Sequence, residues 1–405
     1  MSQNLTYKKF GDIASFSRGL TFAKGDVATS SSKKVLRSNN IDLHTHTLNF
    51  DDVACLKEEF IIPNEKKLHK GDIFICMSNG STQHLGKVAF IDKDMDYAFG
   101  GFMGVIHPDN TTIYPKYAFY ACLSSEYRRF LASILNGINI NNLKWSDLSN
   151  LQIPIPPLQE QERIVAELDL LTGIIDKQKQ QLKELDTLAQ SIFYDMFGNP
   201  VENEKGWELK SLGDISVKIA NGYNAKLEEG TYKTEGVMYF RCQNVWRNRF
   251  DYSDLVYIDE QTNAIMKSSS LKKNDFVITK IGRLFTENSS LGRVSLYEGE
   301  DDKANISGNL CFVRLKEGVC HKFILYILIS EYFRDYVRNT TTGGIDKRAL
   351  NCKQVASYNV ILPPLELQKV FSEKVKAIES QKKSINRSIA ESQKLFDYTM
   401  DKYFG

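Results

Sequence analysis

Pro156-Pro157-Leu158-Gln159-Glu160-Gln161-Glu162-Arg163-Ile164-Val165 is where the pattern of this sequence changes period. Upstream, short apolar runs such as Ile73-Phe74-Ile75-Cys76 are punctuated by glycine and asparagine, which reads as strands and turns. Proline neither continues a strand ladder nor sits inside a helix, so Pro156-Pro157 closes the globular part. Downstream, Ile164, Leu168, Leu171, Ile175, Gln178, Leu182, Leu185, Ala189, Ile192 and Met196 follow one another at alternating spacings of four and three. That is a heptad seam, the signature of a helix packed on another helix. It predicts a helix of about 40 residues, about 60 Å long at 1.5 Å per residue.

The same passage occurs again further along the chain. Pro363-Pro364-Leu365 repeats Pro156-Pro157-Leu158, and a second seam follows it: Phe371, Val375, Ile378, Lys382, Ile385, Ile389, Ser392, Phe396, Thr399 and Tyr403. Gly11-Asp12-Ile13 returns as Gly213-Asp214-Ile215, Leu85-Gly86-Lys87-Val88 as Leu291-Gly292-Arg293-Val294, and Phe197-Gly198 as Phe404-Gly405. The order is kept while the offset drifts slowly, as loop insertions would make it, so the chain is a duplication. Strands are expected around 72–76, 87–91, 275–278 and 293–297, with a short helix over 117–131 and another over 323–337. The simplest partner for each long helix is the other, running antiparallel. The fold class expected is α+β: two similar globular domains joined by two long antiparallel coiled-coil helices, with pseudo-two-fold repetition. Such a pair would hold two readers at a fixed separation. The polar seam positions Gln178 and Lys382 either set register or mark a solvated edge.

Composition narrows the class. With 405 residues, 42% apolar and 25% charged, the chain has the make-up of ordinary globular protein, and no segment approaches a membrane span. The start of the chain, Met1 to Lys9, lacks the apolar stretch of a signal peptide. The seven cysteines include no Cys-x-x-Cys pair and read as small hydrophobes in a reducing cytoplasm. A net charge of +2 does not by itself announce nucleic acid, so partners would share the phosphate contacts. No phosphate-binding loop, zinc-protease motif or nucleophile elbow is present. His44 and His46 share a strand face without completing a metal shell. Phe99-Gly100-Gly101-Phe102-Met103-Gly104 leads into Val105-Ile106 rather than opening a helix, and reads as a buried turn or strand. Neither Pro-Pro step carries the Asn/Asp-Pro-Pro-aromatic pattern of adenine methyltransferases.

Taken together, Leu151 to Val165, then Phe197-Gly198-Asn199-Pro200, Gly206-Trp207-Glu208-Leu209 and Lys70-Gly71-Asp72-Ile73, resemble the specificity subunits of type I restriction-modification systems over the whole chain. The second junction departs from the first, with Glu366-Leu367-Gln368-Lys369 in place of the Gln-Glu-Gln-Glu run. The resemblance implies a target recognition domain over 1–157, a central spacer helix over 158–198, a second recognition domain over 199–364 and a C-terminal spacer helix over 365–405. It implies a cytoplasmic, non-catalytic subunit of a phage-defence system. Such a chain reads one half of a bipartite double-stranded DNA target with each domain, alongside two modification subunits and the restriction subunits. No cofactor is expected in this chain; S-adenosylmethionine, ATP and magnesium belong to those partners.

Candidate DNA contacts follow from base chemistry, in which Arg and Lys suit guanine and Asn and Gln suit adenine. Arg37-Ser38-Asn39-Asn40 matches Arg241-Cys242-Gln243-Asn244, so Arg37 and Arg241 read as phosphate or structural residues, and Asn40 and Asn244 as turn organisers. The next loops differ between the halves and read as base-reading loops: Asn79, Ser81 and Gln83 in the first, Lys280 and Arg283 in the second. An ordinary solvated hairpin is the competing reading. Before each Pro-Pro step a glycine turn carries Asn139 and Asn141 in one half, and Lys347 and Arg348 in the other, which suits groove or backbone contact. The rival functions are a fused enzyme, and a coiled-coil scaffold or adaptor with protein-binding globular ends.

Overall fold

The computed structural model describes residues 6–135, 142–223, 232–283, 289–344 and 347–405, Leu135 in its backbone alone. The chain forms two compact units, Met1–Gln180 with Ile385–Gly405, and Gln181–Ser384. Each is taken by itself.

In the first unit a four-stranded antiparallel sheet is built from β1 (Ala14–Arg18), β2 (Ile73–Cys76), β3 (Val88–Phe90) and β4 (Met103–Pro108) in the order β1-β4-β2-β3. Successive side chains of a strand point to opposite faces. Ile73 and Ile75 therefore pack with Val88 and Ile106 under Tyr117, Ala118 and Tyr127. Phe74 and Cys76 face the other way, against Leu36, Phe99 and Val105. Both faces are covered, which is why β2 reads as an unbroken apolar run. A second sheet holds Lys34–Leu36 parallel to Met95–Phe99. The strand Tyr7–Lys9 pairs with Gln152–Pro154, which brings the first described residues beside the residues preceding Pro156-Pro157.

The second unit repeats this order. β5 (Ser216–Asn221), β6 (Phe276–Thr279), β7 (Val294–Leu296) and β8 (Leu310–Leu315) form a sheet ordered β5-β8-β6-β7. Val237–Phe240 runs parallel to Ala304–Ile306, and Glu208–Ser211 pairs with Asn359–Leu362. The Leu-Gly-Lys/Arg-Val repeat now has a cause. Gly86 and Gly292 take φ of +73° and +70°, a region open to glycine at little cost.

Each expected short helix is in fact two. The first half has Pro115–Ala121 and Ser125–Leu135; the second has His321–Leu328 and Glu331–Thr340. The break is a serine at the same place. Ser124 Oγ accepts from the Tyr127 N–H at 3.1 Å, and Ser330 caps Phe333 in the same manner. A serine that caps a new helix ends the old one.

The two long helices are α1 (Leu158–Phe197) and α2 (Leu365–Phe404). In the first unit Arg163 donates to the Tyr403 hydroxyl at 2.8 Å and Gln178 to Ser388 Oγ at 2.8 Å. In the second, Lys382 pairs with Asp186, and the Phe193 and Phe371 rings lie 5.6 Å apart. Rising numbers on one helix meet falling numbers on the other, so within each unit the helices are antiparallel. Gln178 and Lys382 are thus both bonded across the seam, Gln178 in a part-buried contact and Lys382 at an exposed edge. The start of α1 (Ile164, Leu168) and the end of α2 (Met400, Phe404) complete the core of the first unit. The end of α1 (Phe193, Phe197) and the start of α2 (Phe371, Val375) complete that of the second. The compact units therefore extend beyond the stretches 1–157 and 199–364. Each buried apolar side chain contributes about 1.5–3 kcal/mol.

Candidate nucleic-acid interface

The residues around Arg37 form a tight turn. The Arg37 N–H donates to Asn40 Oδ1 at 2.8 Å, and the buried Asn40 donates to the carbonyls of Asn49 and Asp52 at 2.9 and 3.0 Å. The Arg37 guanidinium and the Asn39 amide both reach Asp52 Oδ2 at 3.1 Å. The second unit copies it: Arg241 N–H to Asn244 Oδ1 at 2.9 Å, and Asn244 to the carbonyls of Asp251 and Asp254. Gln243 donates to Asp254 Oδ2 at 2.8 Å and Arg241 to the Asp254 carbonyl at 2.6 Å. Gln243 and then Arg241 hold the Asp254 carboxyl below its ordinary range. Arg241 also lies over the Tyr232 ring, 5.7 Å from its centre. Both arginines are committed to a carboxylate, and Asn40 and Asn244 organise the turns.

This turn forms one wall of a groove of about 910 Å³ in the first unit. The other walls are Leu20 to Phe22, Ser78 to Gly80, Gly100 to Met103, and Asn142. The walls meet because Gly19 lets the backbone come close: a Cβ there would sit 1.9 Å from the Gly100 oxygen. Gly222 does the same in the second unit, 2.1 Å from the Ser307 oxygen.

Of the expected base-reading residues, Asn79 stitches two walls together. Its Nδ2 donates to Ser38 Oγ at 3.0 Å and its Oδ1 accepts from the Ser81 N–H at 2.9 Å. Ser81 and Gln83 are exposed on the loop beyond. Ser78 bridges to Asn142, and Leu143 N–H donates to the Met77 carbonyl at 2.7 Å. The segment before Pro156 is thereby tied to this loop. Asn139 and Asn141 lie outside the described residues.

In the second unit Lys280 Nζ donates to Asn221 Oδ1 at 2.7 Å, and Ile281–Gly282 pairs with Arg348–Ala349. Leu350 N–H donates to the Lys280 carbonyl at 2.8 Å, matching Leu143 and Met77. Lys280 therefore occupies the place of Met77, and Gly282 that of Asn79. The pairing brings Lys280 and the exposed Arg283 beside the exposed Lys347 and the half-buried Arg348, which donates to the Thr341 carbonyl at 2.8 Å. Four cations thus lie on or beside one pair of strands where the first unit presents amides and hydroxyls.

Three pairs escaped the sequence reading. Gln161 and Gln368 are buried at the mouths of the long helices. Gln161 accepts from Tyr114 N–H at 2.8 Å and donates to the Pro156 carbonyl at 2.8 Å; Gln368 does likewise with Cys320 and Pro363. Lys87 and Arg293 are buried cations that donate to equivalent carbonyls, Ile41 at 2.8 Å and Val245 at 3.4 Å. Burial pushes the Lys87 ammonium below its ordinary pKa, and Arg293 also stacks 3.9 Å from the centre of the Trp246 ring. The signal for both pairs was the repeat itself, in which these positions survive. The third pair is Phe102 and Asn309. Phe102 is not buried, as the reading of 99–104 as a buried turn or strand expected, but 72% exposed, because it caps the turn between Phe99 and Met103.

Among the described residues, no group of three or more His, Cys, Asp or Glu is placed to hold a metal, and no helix is long and apolar enough to cross a membrane.

The specificity subunit of the type I restriction enzyme StySPI from Salmonella potsdam is 23% identical over 97% of this chain and 86% of its own length. That of EcoKI from Escherichia coli K12 is 24% identical over 99% and 85%. The crystal structure of the type I restriction-modification system S subunit from M. genitalium superposes with a TM-score of 0.57 at 15% identity, covering 100% of this chain and 98% of that one. A chain from work on the assembly and conformational transition of the type I R-M system gives 0.57 at 19% identity, covering 99% of both. These superpositions establish a common fold. The sequence model of the type I restriction modification DNA specificity domain matches twice, over residues 3–187 and 204–392, and the chain belongs to that family.

Proposed function

We propose that this chain is the specificity subunit of a type I restriction-modification assembly and that each unit reads one half of a bipartite DNA target. The observation that carries this reading is a duplicated frame with unduplicated loops. The turn, the glycine contact and the glutamine staple recur, while the groove-side residues do not. A frame that holds different side chains at matched places suits two half-sites of different sequence, since bases are told apart by donor and acceptor pattern.

Ser81 and Gln83 then read bases from the first unit, joined by Asn139 and Asn141. Lys280, Arg283, Lys347 and Arg348 contact guanine or phosphate from the second. Arg37, Asn79 and Arg241 shape the reading surface and contact the backbone through what their partners leave free. Modification subunits with S-adenosylmethionine and restriction subunits with ATP and magnesium supply the chemistry. The exposed Leu170, Ile174 and Leu188 of α1 offer the modification subunits an apolar footing.

The test is methylation sequencing of a host expressing this chain with its modification subunit. Adenine methylation at one interrupted two-part motif, changing in one half when one unit is exchanged, is the expected result. An assembled complex that leaves no new motif would transfer the weight to a protein-binding scaffold.

A further inference from the structure

Phe102 projects its ring out from the fold. It sits at the tip of the turn between Phe99 and Met103, with 72% of its surface exposed, on the groove wall of the first unit. Its backbone is held firmly. The Phe102 carbonyl accepts from the N–H groups of Met77 and Ser78, both at 3.0 Å, and the Met103 N–H donates to the Gly100 carbonyl at 2.8 Å. Gly100 N–H in turn donates to the Leu36 carbonyl at 2.9 Å, one residue before Arg37. The turn is thus fastened to the loop of Asn79 and to the turn of Arg37. The second unit fastens the matching turn in the same way: Lys280 N–H to the Asn309 carbonyl at 2.9 Å, Leu310 to Ser307 at 2.9 Å, Ser307 to Phe240 at 3.0 Å. The backbone is duplicated, yet the tip side chain changes from a phenyl ring to an exposed amide.

If this groove takes DNA, as the proposed function has it, a fixed, exposed aromatic on its wall has a specific use. In the major groove thymine alone presents a methyl group, and an apolar side chain identifies it by contact, whereas an Asn amide pairs with the adenine edge. We propose that Phe102 and Asn309 are specificity-determining residues. Phe102 packs on the 5-methyl group of a thymine in the half-site of the first unit, and Asn309 hydrogen-bonds an adenine in the half-site of the second. This rests on the bipartite-reading function above and adds a second reading element to each unit, beside the loops.

The experiment uses the chain assembled with its modification subunits and duplexes carrying the methylated motif. Each thymine is replaced in turn by uracil, which removes only the methyl group. Wild-type complex should lose about tenfold in affinity at one thymine of one half-site. Phe102→Ala should lose a similar factor on the natural duplex and be indifferent to uracil at that position. Phe102→Leu, which keeps an apolar tip, should retain most of the discrimination. If wild type binds its site but Phe102→Ala shows the same uracil response, this inference falls and the function stands. Failure of wild type to bind any site specifically would remove the function itself. Loss of assembly in Phe102→Ala would overturn the proposal too, and would assign the turn to a protein contact.

Discussion

The sheet edge at Lys280 and the groove wall at Met77 are the same place in two copies of one frame, and they carry opposite chemistry. Around Met77 the side chains are Asn79, Ser81 and Gln83, neutral groups that donate and accept. Around Lys280 they are Arg283, Lys347 and Arg348, which only donate. The surrounding frame has hardly moved: Gly19 and Gly222 admit the same close approach, and Asn40 and Asn244 close the same turn. Duplication has preserved what the backbone requires and released what faces outward.

The comparison can be broken most forcefully in the core. Phe404 and Phe197 are fully or almost fully buried at equivalent ends of the two long helices. Phe404→Ala and Phe197→Ala should each lower stability by about 3–5 kcal/mol, the first in the Met1–Gln180 unit and the second in the Gln181–Ser384 unit. Hydrogen exchange resolved by peptide checks this, and loss of protection in the opposite unit would refute the equivalence. Next come the staples. Gln161→Ala and Gln368→Ala each remove a buried amide that accepts from a part-buried backbone N–H, of Tyr114 or Cys320, and leave a buried proline carbonyl without that donor, and should cost about 1–3 kcal/mol in denaturant unfolding, by similar amounts.

The outward-facing difference should appear as charge. Lys347→Ala with Arg348→Ala should weaken DNA binding by the assembled complex and reduce the slope of log affinity against log salt by about 1 to 2. Asn139→Ala with Asn141→Ala, at the matching place, should leave the slope unchanged; equal slopes for both pairs would erase the contrast. The smallest effect is chemical. Cys352 Sγ lies 3.1 Å from Asn221 Oδ1, the group that also accepts from Lys280. Its contact with Cys311, and then the Lys280 charge, bring its thiol below the ordinary range, while burial raises that of Cys76 to about 11. Iodoacetamide should therefore label Cys352 first, because the thiolate is the nucleophile. Peptide mass spectrometry showing Cys55 labelled as fast would contradict it.

The sequence made the periodic features plain. Ile164 to Met196 announced a packed helix, and Ile73-Phe74-Ile75-Cys76 a strand covered on both faces. The serines that split the short helices were also visible, and were passed over because Tyr117 to Leu131 reads as one helix without them. Partnerships across long separations were not legible. Nothing near Arg37 marks Asp52 as its carboxylate, and nothing near Gln161 marks Tyr114. Phe102 was misread because a phenylalanine between glycines and an apolar run has the composition of a core. Only the tertiary turn decides that its ring faces outward.

The division of the long helices between the units has a consequence during synthesis. The Gln181–Ser384 unit is one continuous stretch, whereas the other needs Met400 and Phe404 to finish its core. Chains emerge from the ribosome amino end first. The unit that holds Ile164 and Leu168 is therefore the later of the two to close, because Met400 and Phe404 of its core are made only after the whole Gln181–Ser384 stretch.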